Sequence, residues 1–148
     1  MTKNKTAASI NDLVEALNDG IAFYDHAAGE TNDAAHKQLF QDMSRIKRSI
    51  ATDLKTEVVS AGGEPANDSS WLGDFRQGYA DLKAKMVKDS DAAYVASLEA
   101  QEDRVLHAFR DAVDEDQPVR VREIAAKYLP EVQGMHDRMR ALKLANQA

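Results

Sequence analysis

Glu102 and His136 are the residues of this chain whose types and positions could support chemistry. Glu102 lies on a stripe of apolar residues with three-four spacing, which predicts one buried face of a helix. A carboxylate on such a face needs a metal, a cation or a hydrogen-bond donor. His136 lies on a second stripe, five residues after Glu131. One hypothesis is therefore that Glu102, Glu131 and His136 bind iron or another divalent metal.

A complete di-iron centre is not expected from the remaining residues. Such a bundle requires a Glu from each of two helices and a Glu-x-x-His motif from each of the other two. Gln133 stands three residues before His136, where the motif needs Glu, and residues 43–50 contain neither Glu nor His. Asp19 alone offers a carboxylate at the matching level of the first helix. We therefore expect no cofactor, with a single metal ion as the alternative.

The second interpretation of the same residues is a structural polar cluster. Lys47 or Arg48 could form an ion pair with Glu102, and His136 could bond to Glu102, Asp19 or Tyr24. The predicted cluster comprises Asp19, Tyr24, Lys47, Arg48, Glu102 and His136. No residue is predicted to be catalytic, because Ser69 and Ser70 lack a companion base and the chain has no cysteine. The residues therefore favour a protein that is not an enzyme.

The elements that must position these residues are all helical. Apolar residues at three-four spacing predict helices at about 10–29, 32–62, 70–87, 91–115 and 117–145 in one domain of 148 residues. A short connection makes the first two an antiparallel hairpin. The third is shorter and lies in the crossover between the second and third long helices. Pro130 predicts a kink or a bulge in the last helix.

Composition restricts the classes of partner. The chain is 43% hydrophobic and 30% charged with a net charge of −6, which is typical of a globular protein and argues against nucleic-acid binding. Its longest nearly apolar run has about seven residues, against about 20 for a membrane span, so no membrane partner is expected. No secretory signal is visible, so a cytoplasmic location is expected.

Spaced signatures extend over most of the chain, from about Ile10 to Leu142. They are Asp19-Gly20, Tyr24-x-x-Ala27-Ala28, Phe40, Gly62-Gly63-x-Pro65, Trp71, Glu102-Asp103, Phe109 and His136-Asp137. Together they resemble the bacterial ferritin-like four-helix-bundle proteins of unknown function, which are often described as stress-associated. The resemblance implies an all-α, ferritin-like four-helix bundle with up-down-down-up topology and an extra short helix in the crossover. It implies no particular activity.

Three functions remain open at this point. The first is a non-enzymatic, stress-associated bundle that forms homo-oligomers through the aromatic stripe of Trp71, Phe75 and Tyr79. The second is an iron-binding or oxidoreductase bundle that uses Glu102 and His136. The third is a regulatory module that binds a partner helix or a small apolar ligand.

Overall fold

Four long α-helices make up nearly all of the computed structural model, which describes residues 2–66 and 90–147. They are α1 (Thr2–Glu30), α2 (Ala34–Ser60), α3 (Ser90–Ala112) and α4 (Val119–Gln147). These two ranges contain no strand, so the predicted all-α class is confirmed for them. The predicted helix 70–87, with Trp71, Phe75 and Tyr79, lies outside the described residues.

The helices pack as two hairpins, α1 with α2 and α3 with α4, and α1 also packs against α3. Ser9 near the start of α1 bonds to Gln117 beyond the end of α3 at 3.2 Å, whereas His26 near the end of α1 stacks edge-on with Tyr94 near the start of α3. These contacts make α1 and α3 antiparallel. Large apolar side chains that are fully buried in the core include Leu17, Tyr24, Phe40, Met43, Leu54, Leu98, Phe109 and Met139.

Helix α2 and helix α3 lie diagonally across the bundle. Over the described residues their backbones do not pack against each other, whereas each packs against α1 and α4. Helices α2 and α4 are antiparallel. Asp53 of α2 bonds to Tyr128 of α4, whereas Glu57, which is later in α2, bonds to Arg120, which is earlier in α4. Side chains from α2 and α3 can therefore meet only at the centre of the bundle, and they must be long enough to reach it.

The first helix begins at Thr2, where the sequence predicted a start near residue 10. Thr6 and Ala7 are buried in these early turns. A Cβ added to Gly63 would lie 2.6 Å from the Cβ of Ala7, so the start of α1 packs closely on the turn that follows α2. This packing is a tertiary contact between residues far apart in sequence, and the local apolar pattern does not reveal it.

The ends of the other helices follow ordinary capping chemistry. The Asp33 side chain accepts from the His36 N–H at 3.0 Å, which makes it the N-cap of α2, and this bond lowers the pKa of Asp33. Gly62 ends α2 with a φ of +85°, the left-handed conformation that glycine adopts most easily. Helix α3 ends at Ala112, before the predicted residue 115, and α4 begins at Val119.

Pro130 lies inside α4, which continues as an α-helix on both sides of it. A proline removes one backbone hydrogen bond and disfavours helix at the preceding residue, which was the reason to expect a kink or a bulge. Tyr128 and Val132 on either side of it are buried in the bundle. Packing of both turns therefore holds the helix together through the proline.

Two asparagines on α1 bind the chain that leaves α2. Asn11 donates to the Glu64 carbonyl at 2.8 Å and accepts from the Ala66 N–H at 2.9 Å. Asn18 donates to the Ala66 carbonyl at 3.1 Å. Because these bonds satisfy backbone groups that no helix satisfies, they fix residues 64–66 along the surface of α1.

Candidate functional site

A buried ionic cluster, formed by Tyr24, Lys47 and Glu102, occupies the centre of the bundle. The Lys47 Nζ donates to the Glu102 Oε1 at 2.7 Å, and the side chains of both residues are 0% exposed. The Tyr24 hydroxyl donates to the other carboxylate oxygen, Oε2. Three helices thus supply one residue each, and each Glu102 oxygen has a donor. We call these three residues the central cluster.

Gly20 and the ring of Tyr24 shape the path of the Lys47 side chain. A Cβ added to Gly20 would lie 3.1 Å from the Lys47 Cδ and 3.2 Å from its Cε, so the glycine leaves room for the aliphatic stem. The Nζ lies 5.8 Å from the centroid of the Tyr24 ring, within the range of a cation–π contact. A buried charge is tolerated when it is paired and hydrogen-bonded, and Lys47 meets both conditions.

This geometry determines what the central cluster can do. Each carboxylate oxygen of Glu102 accepts one hydrogen bond, from Lys47 or from Tyr24, and the Lys47 ammonium at 2.7 Å would repel a metal cation. Metal binding there would require the ammonium group to leave a site where it is fully buried. The arrangement is that of a structural ion pair that ties α2 to α3.

Beside the central cluster, Gln101 and Asp19 border a groove between α1 and α3. The Gln101 Nε2 donates to the Ala16 carbonyl at 3.1 Å, and its buried Oε1 has no hydrogen-bond partner among the described residues. The groove has a volume of about 410 Å³. Its acidic lining residues are Asp12, Glu15, Asp19 and Asp111, and burial raises the pKa of Asp12. The lining also contains Arg104, His107, Ala16 and Ala108, so it combines acidic, basic and apolar groups.

A second cluster joins α3 to α4 and consists of Glu99, Asp103 and His136. The His136 Nε2 lies 2.5 Å from the Asp103 Oδ1 and 4.0 Å from the Glu99 Oε1. Glu99 and His136 are buried, whereas the Asp103 side chain is 49% exposed. One ligand atom from each residue lies within 4.8 Å of the other two. We call these residues the α3–α4 cluster.

The other ring nitrogen of His136 faces a separate polar chain. Its Nδ1 lies 3.3 Å from the Asp137 Oδ1, which also accepts from the Gln133 Nε2 at 2.9 Å. The Arg110 guanidinium in turn donates to the Gln133 Oε1 at 2.8 Å. The bond from Gln133, followed by that from His136, lowers the pKa of Asp137. Asp137 is therefore held as an ionised acceptor behind the imidazole.

Several predicted site residues lie elsewhere than expected. Arg48 does not reach Glu102; it forms an exposed ion pair with Asp25. His136 contacts Asp103 instead of Glu102, Asp19 or Tyr24, so the predicted polar cluster divides into two. Glu131 is exposed. Over the described residues the ligand atoms of Glu102, Glu131 and His136 do not come together in one group, and metal binding by this set stays a prediction.

Sequence reasoning missed Glu99 and Asp103. The two residues are four apart, which places them on one face of α3. Neither belongs to the apolar stripe that contains Glu102. The spacing of two carboxylates at i and i+4 was the available signal. This spacing indicates a site only together with the tertiary contact that brings His136 of α4 next to Glu99 and Asp103.

A third polar contact joins α2 to α4 near the far end of the bundle. The Tyr128 hydroxyl donates to the Asp53 carboxylate. Burial, together with this bond, raises the pKa of Tyr128 to about 12. Arg120 binds Glu57 through two nitrogens at 3.0 and 2.7 Å, a bidentate pair that fixes the same two helices.

These observations define a class: over residues 2–66 and 90–147 the protein is helical, with four long helices and a paired charge at their centre. The chain belongs to the family described as domain of unknown function DUF2383, whose model matches residues 5–115. The matched range contains the whole central cluster and ends before His136. No curated protein matches the chain. None of the described helices combines the length and the apolar character that crossing a membrane requires.

Proposed function

We propose that this chain is a ferritin-like bundle that works without a redox metal centre, as a non-enzymatic, self-associating protein with a stress-linked role. The observation that carries this proposal is the buried pairing of Glu102 with the Lys47 ammonium group, to which Tyr24 adds a second hydrogen bond. A di-iron bundle places metal ligands from four helices at its centre. Here a buried lysine occupies that place, and it repels a metal cation.

The directions of the described helices support the ferritin-like arrangement. Helix α1 runs opposite to α2 and to α3, and α4 runs opposite to both of them as well, which corresponds to up-down-down-up. The connection from residue 61 to residue 89 has 29 residues. Helix α2 is about 40 Å long at 1.5 Å per residue, so a connection of this length can return along it.

Self-association is the activity we assign to the aromatic stripe of Trp71, Phe75 and Tyr79. Spacing by four would place these rings on one face of the predicted helix 70–87, and aromatic residues are enriched in protein interfaces. The resemblance to bacterial stress-associated bundles supports a cytoplasmic location and a role under stress. The proposed partner is therefore a second copy of this chain.

Iron chemistry tests the first part of the proposal. Protein purified without chelators should contain less than stoichiometric iron, and it should oxidise Fe²⁺ no faster than buffer does. Stoichiometric iron together with rapid oxidation would overturn it if both are lost in the triple variant Lys47→Met, Glu102→Leu, Tyr24→Phe, which removes the buried charges together. A metal that persists in this triple variant is bound elsewhere and does not bear on the central cluster.

Light scattering over a range of concentrations tests the second part. The wild-type chain should be larger than a monomer, and the triple variant Trp71→Ala, Phe75→Ala, Tyr79→Ala should be monomeric with an unchanged helical spectrum. Leu144→Ala is the control, because Leu144 is an exposed apolar side chain outside the stripe. A wild-type chain that stays monomeric at high micromolar concentration would contradict self-association.

A further inference from the structure

We propose that Glu99, Asp103 and His136 form a binding site for one transition-metal dication, with Zn²⁺ as the probe that best fits its ligands. The site lies between α3 and α4 and shares no residue with the central cluster. It therefore goes beyond the proposed function and can fail or succeed independently of it.

The distances suit a metal after small side-chain movements. Ligand atoms around a tetrahedral Zn²⁺ lie about 2.0–2.2 Å from the metal and hence about 3.3 Å from one another. The two distances from the His136 Nε2, 2.5 Å to Asp103 and 4.0 Å to Glu99, bracket that separation. The half-exposed side chain of Asp103 has room to move away from His136, and the Glu99 Oε1 needs to approach the His136 Nε2 by less than about 1 Å.

The orientation of His136 is the second, independent argument. Metal-bound histidines donate their other ring N–H to a carboxylate or a carbonyl, which fixes the tautomer and the ring. Asp137 offers such an acceptor at 3.3 Å from Nδ1, and Gln133 holds that carboxylate in place. With the proton on Nδ1, the lone pair of Nε2 points at two carboxylates. A cation between them would take the place of the proton in the contact between the His136 Nε2 and Asp103.

The charge balance of the cluster points the same way. Glu99, Asp103 and Asp137 contribute three negative charges, and Lys143 supplies one positive charge at 3.4 Å from the Glu99 Oε2. Lys143 engages one carboxylate oxygen only, so the Glu99 Oε1 remains directed towards His136. Glu99 is buried, and a buried carboxylate is stabilised by a metal or a cation. A bound dication would bring the group close to neutrality.

The ligand set selects among metals. One imidazole nitrogen and two carboxylate oxygens suit Zn²⁺ and other transition-metal ions, whereas Mg²⁺ and Ca²⁺ prefer oxygen ligands alone. Three protein ligands leave a fourth position for water, and Asp103 keeps the site in contact with solvent. We expect reversible binding of a transition-metal ion that links α3 to α4. Excess Mg²⁺ should not displace this ion.

Calorimetric titration of the full chain with Zn²⁺ tests this site. The wild type should bind one ion per chain and melt at a higher temperature when the ion is bound. Asp103→Asn and His136→Gln should each weaken binding at least tenfold, and Asp137→Asn should weaken it about 10- to 100-fold through loss of orientation. His107→Gln is the matched control, because it removes an exposed imidazole of α3 and should change nothing.

Co²⁺ provides a readout that a purely structural role would not change. A four-coordinate site should give intense visible absorption, which Asp103→Asn abolishes while the helical spectrum stays unchanged. The triple variant Lys47→Met, Glu102→Leu, Tyr24→Phe removes the buried charges together and should retain both Zn²⁺ and Co²⁺ binding, which separates this site from the central cluster. The proposal is overturned if no Zn²⁺ binds, or if Asp103→Asn, His136→Gln and His107→Gln bind it equally well. In that case His136 is instead a hydrogen-bonded bridge between Asp103 and Asp137.

Discussion

The Lys47 ammonium donates to the Glu102 carboxylate at 2.7 Å across the diagonal of the bundle. The backbones of α2 and α3 do not pack against each other over the described residues, so this pair is a direct link between the two helices. Both side chains are fully buried. The contribution of this ion pair to the free energy of unfolding therefore depends on whether two paired buried charges stabilise the fold more or less than apolar groups in their place.

Removal of one charge should strongly destabilise the fold. Glu102→Gln leaves the Lys47 ammonium buried without a counter-charge, and Lys47→Met leaves the carboxylate with Tyr24 alone. Each should lower the free energy of unfolding by about 3–5 kcal/mol, as measured by urea denaturation. The exposed pair of Arg48 and Asp25 is the control, because Arg48→Met should cost less than about 1 kcal/mol.

Removal of the whole cluster should have the opposite result. In the variant Lys47→Met, Glu102→Leu, Tyr24→Phe, no buried charge or hydroxyl of the cluster remains. Apolar replacement of a buried ion pair is often neutral or stabilising by about 1–4 kcal/mol. If this triple variant is as unstable as the single ones, the cluster contributes more than charge compensation, and the structural interpretation of Glu102 is wrong.

Periodicity within one helix predicted much of this arrangement, because it depends on local geometry. Lys47 follows Met43 and precedes Ile50 at helical spacing, so its inward direction could be read from the chain. The same reasoning could not decide which residue of α4 meets which residue of α3. Glu102 and Asp103 are neighbours that differ by about 100° around the helix. Only the axial rotation of α3 directs the first to Lys47 and the second to His136.

Contacts between distant segments were likewise invisible in the local pattern. Residues 2–9 carry no clear apolar stripe, so the start of α1 was placed too late. Their helix is stabilised by the burial of Ala7 against Gly63, more than 50 residues further along the chain. The capping signals of Asp33 and Gly62 were readable because each acts within a few residues of its own position.

Gly20→Ala should test whether the room beside Lys47 matters. Alanine is favoured over glycine inside a helix by about 1 kcal/mol, but a Cβ here would lie 3.1 Å from the Lys47 Cδ. Gly134 in α4 is the matched control, since its added Cβ would meet nothing within 4 Å. Gly134→Ala should raise the melting temperature, and Gly20→Ala should raise it less or lower it. Equal stabilisation by both substitutions would show that the Lys47 side chain can move away from the added methyl group without destabilising the fold.

Tyr128 should titrate later than a tyrosine in water. Its pKa is raised to about 12 by burial and by the bond to Asp53, so the folded protein favours the protonated hydroxyl. The stabilisation is complete below pH 10, the ordinary tyrosine range, and is lost as the pH rises through 12. Ultraviolet absorbance of tyrosinate, compared with Tyr128→Phe, measures this step. Asp53→Asn should lower the pKa without restoring it fully, because burial remains; no change would contradict the role of Asp53.

Asn11→Ala should release the segment that follows α2 from the surface of α1. The substitution removes a donor to the Glu64 carbonyl and the acceptor of the Ala66 N–H. Two hydrogen bonds at about 1 kcal/mol each make a loss of about 2 kcal/mol the expected result. Hydrogen exchange at the Ala66 amide should accelerate strongly in this variant. Asn18→Ala is the control, because Asn18 bonds the Ala66 carbonyl and leaves the amide bonded to Asn11; equal acceleration in both would show that the segment opens as one unit.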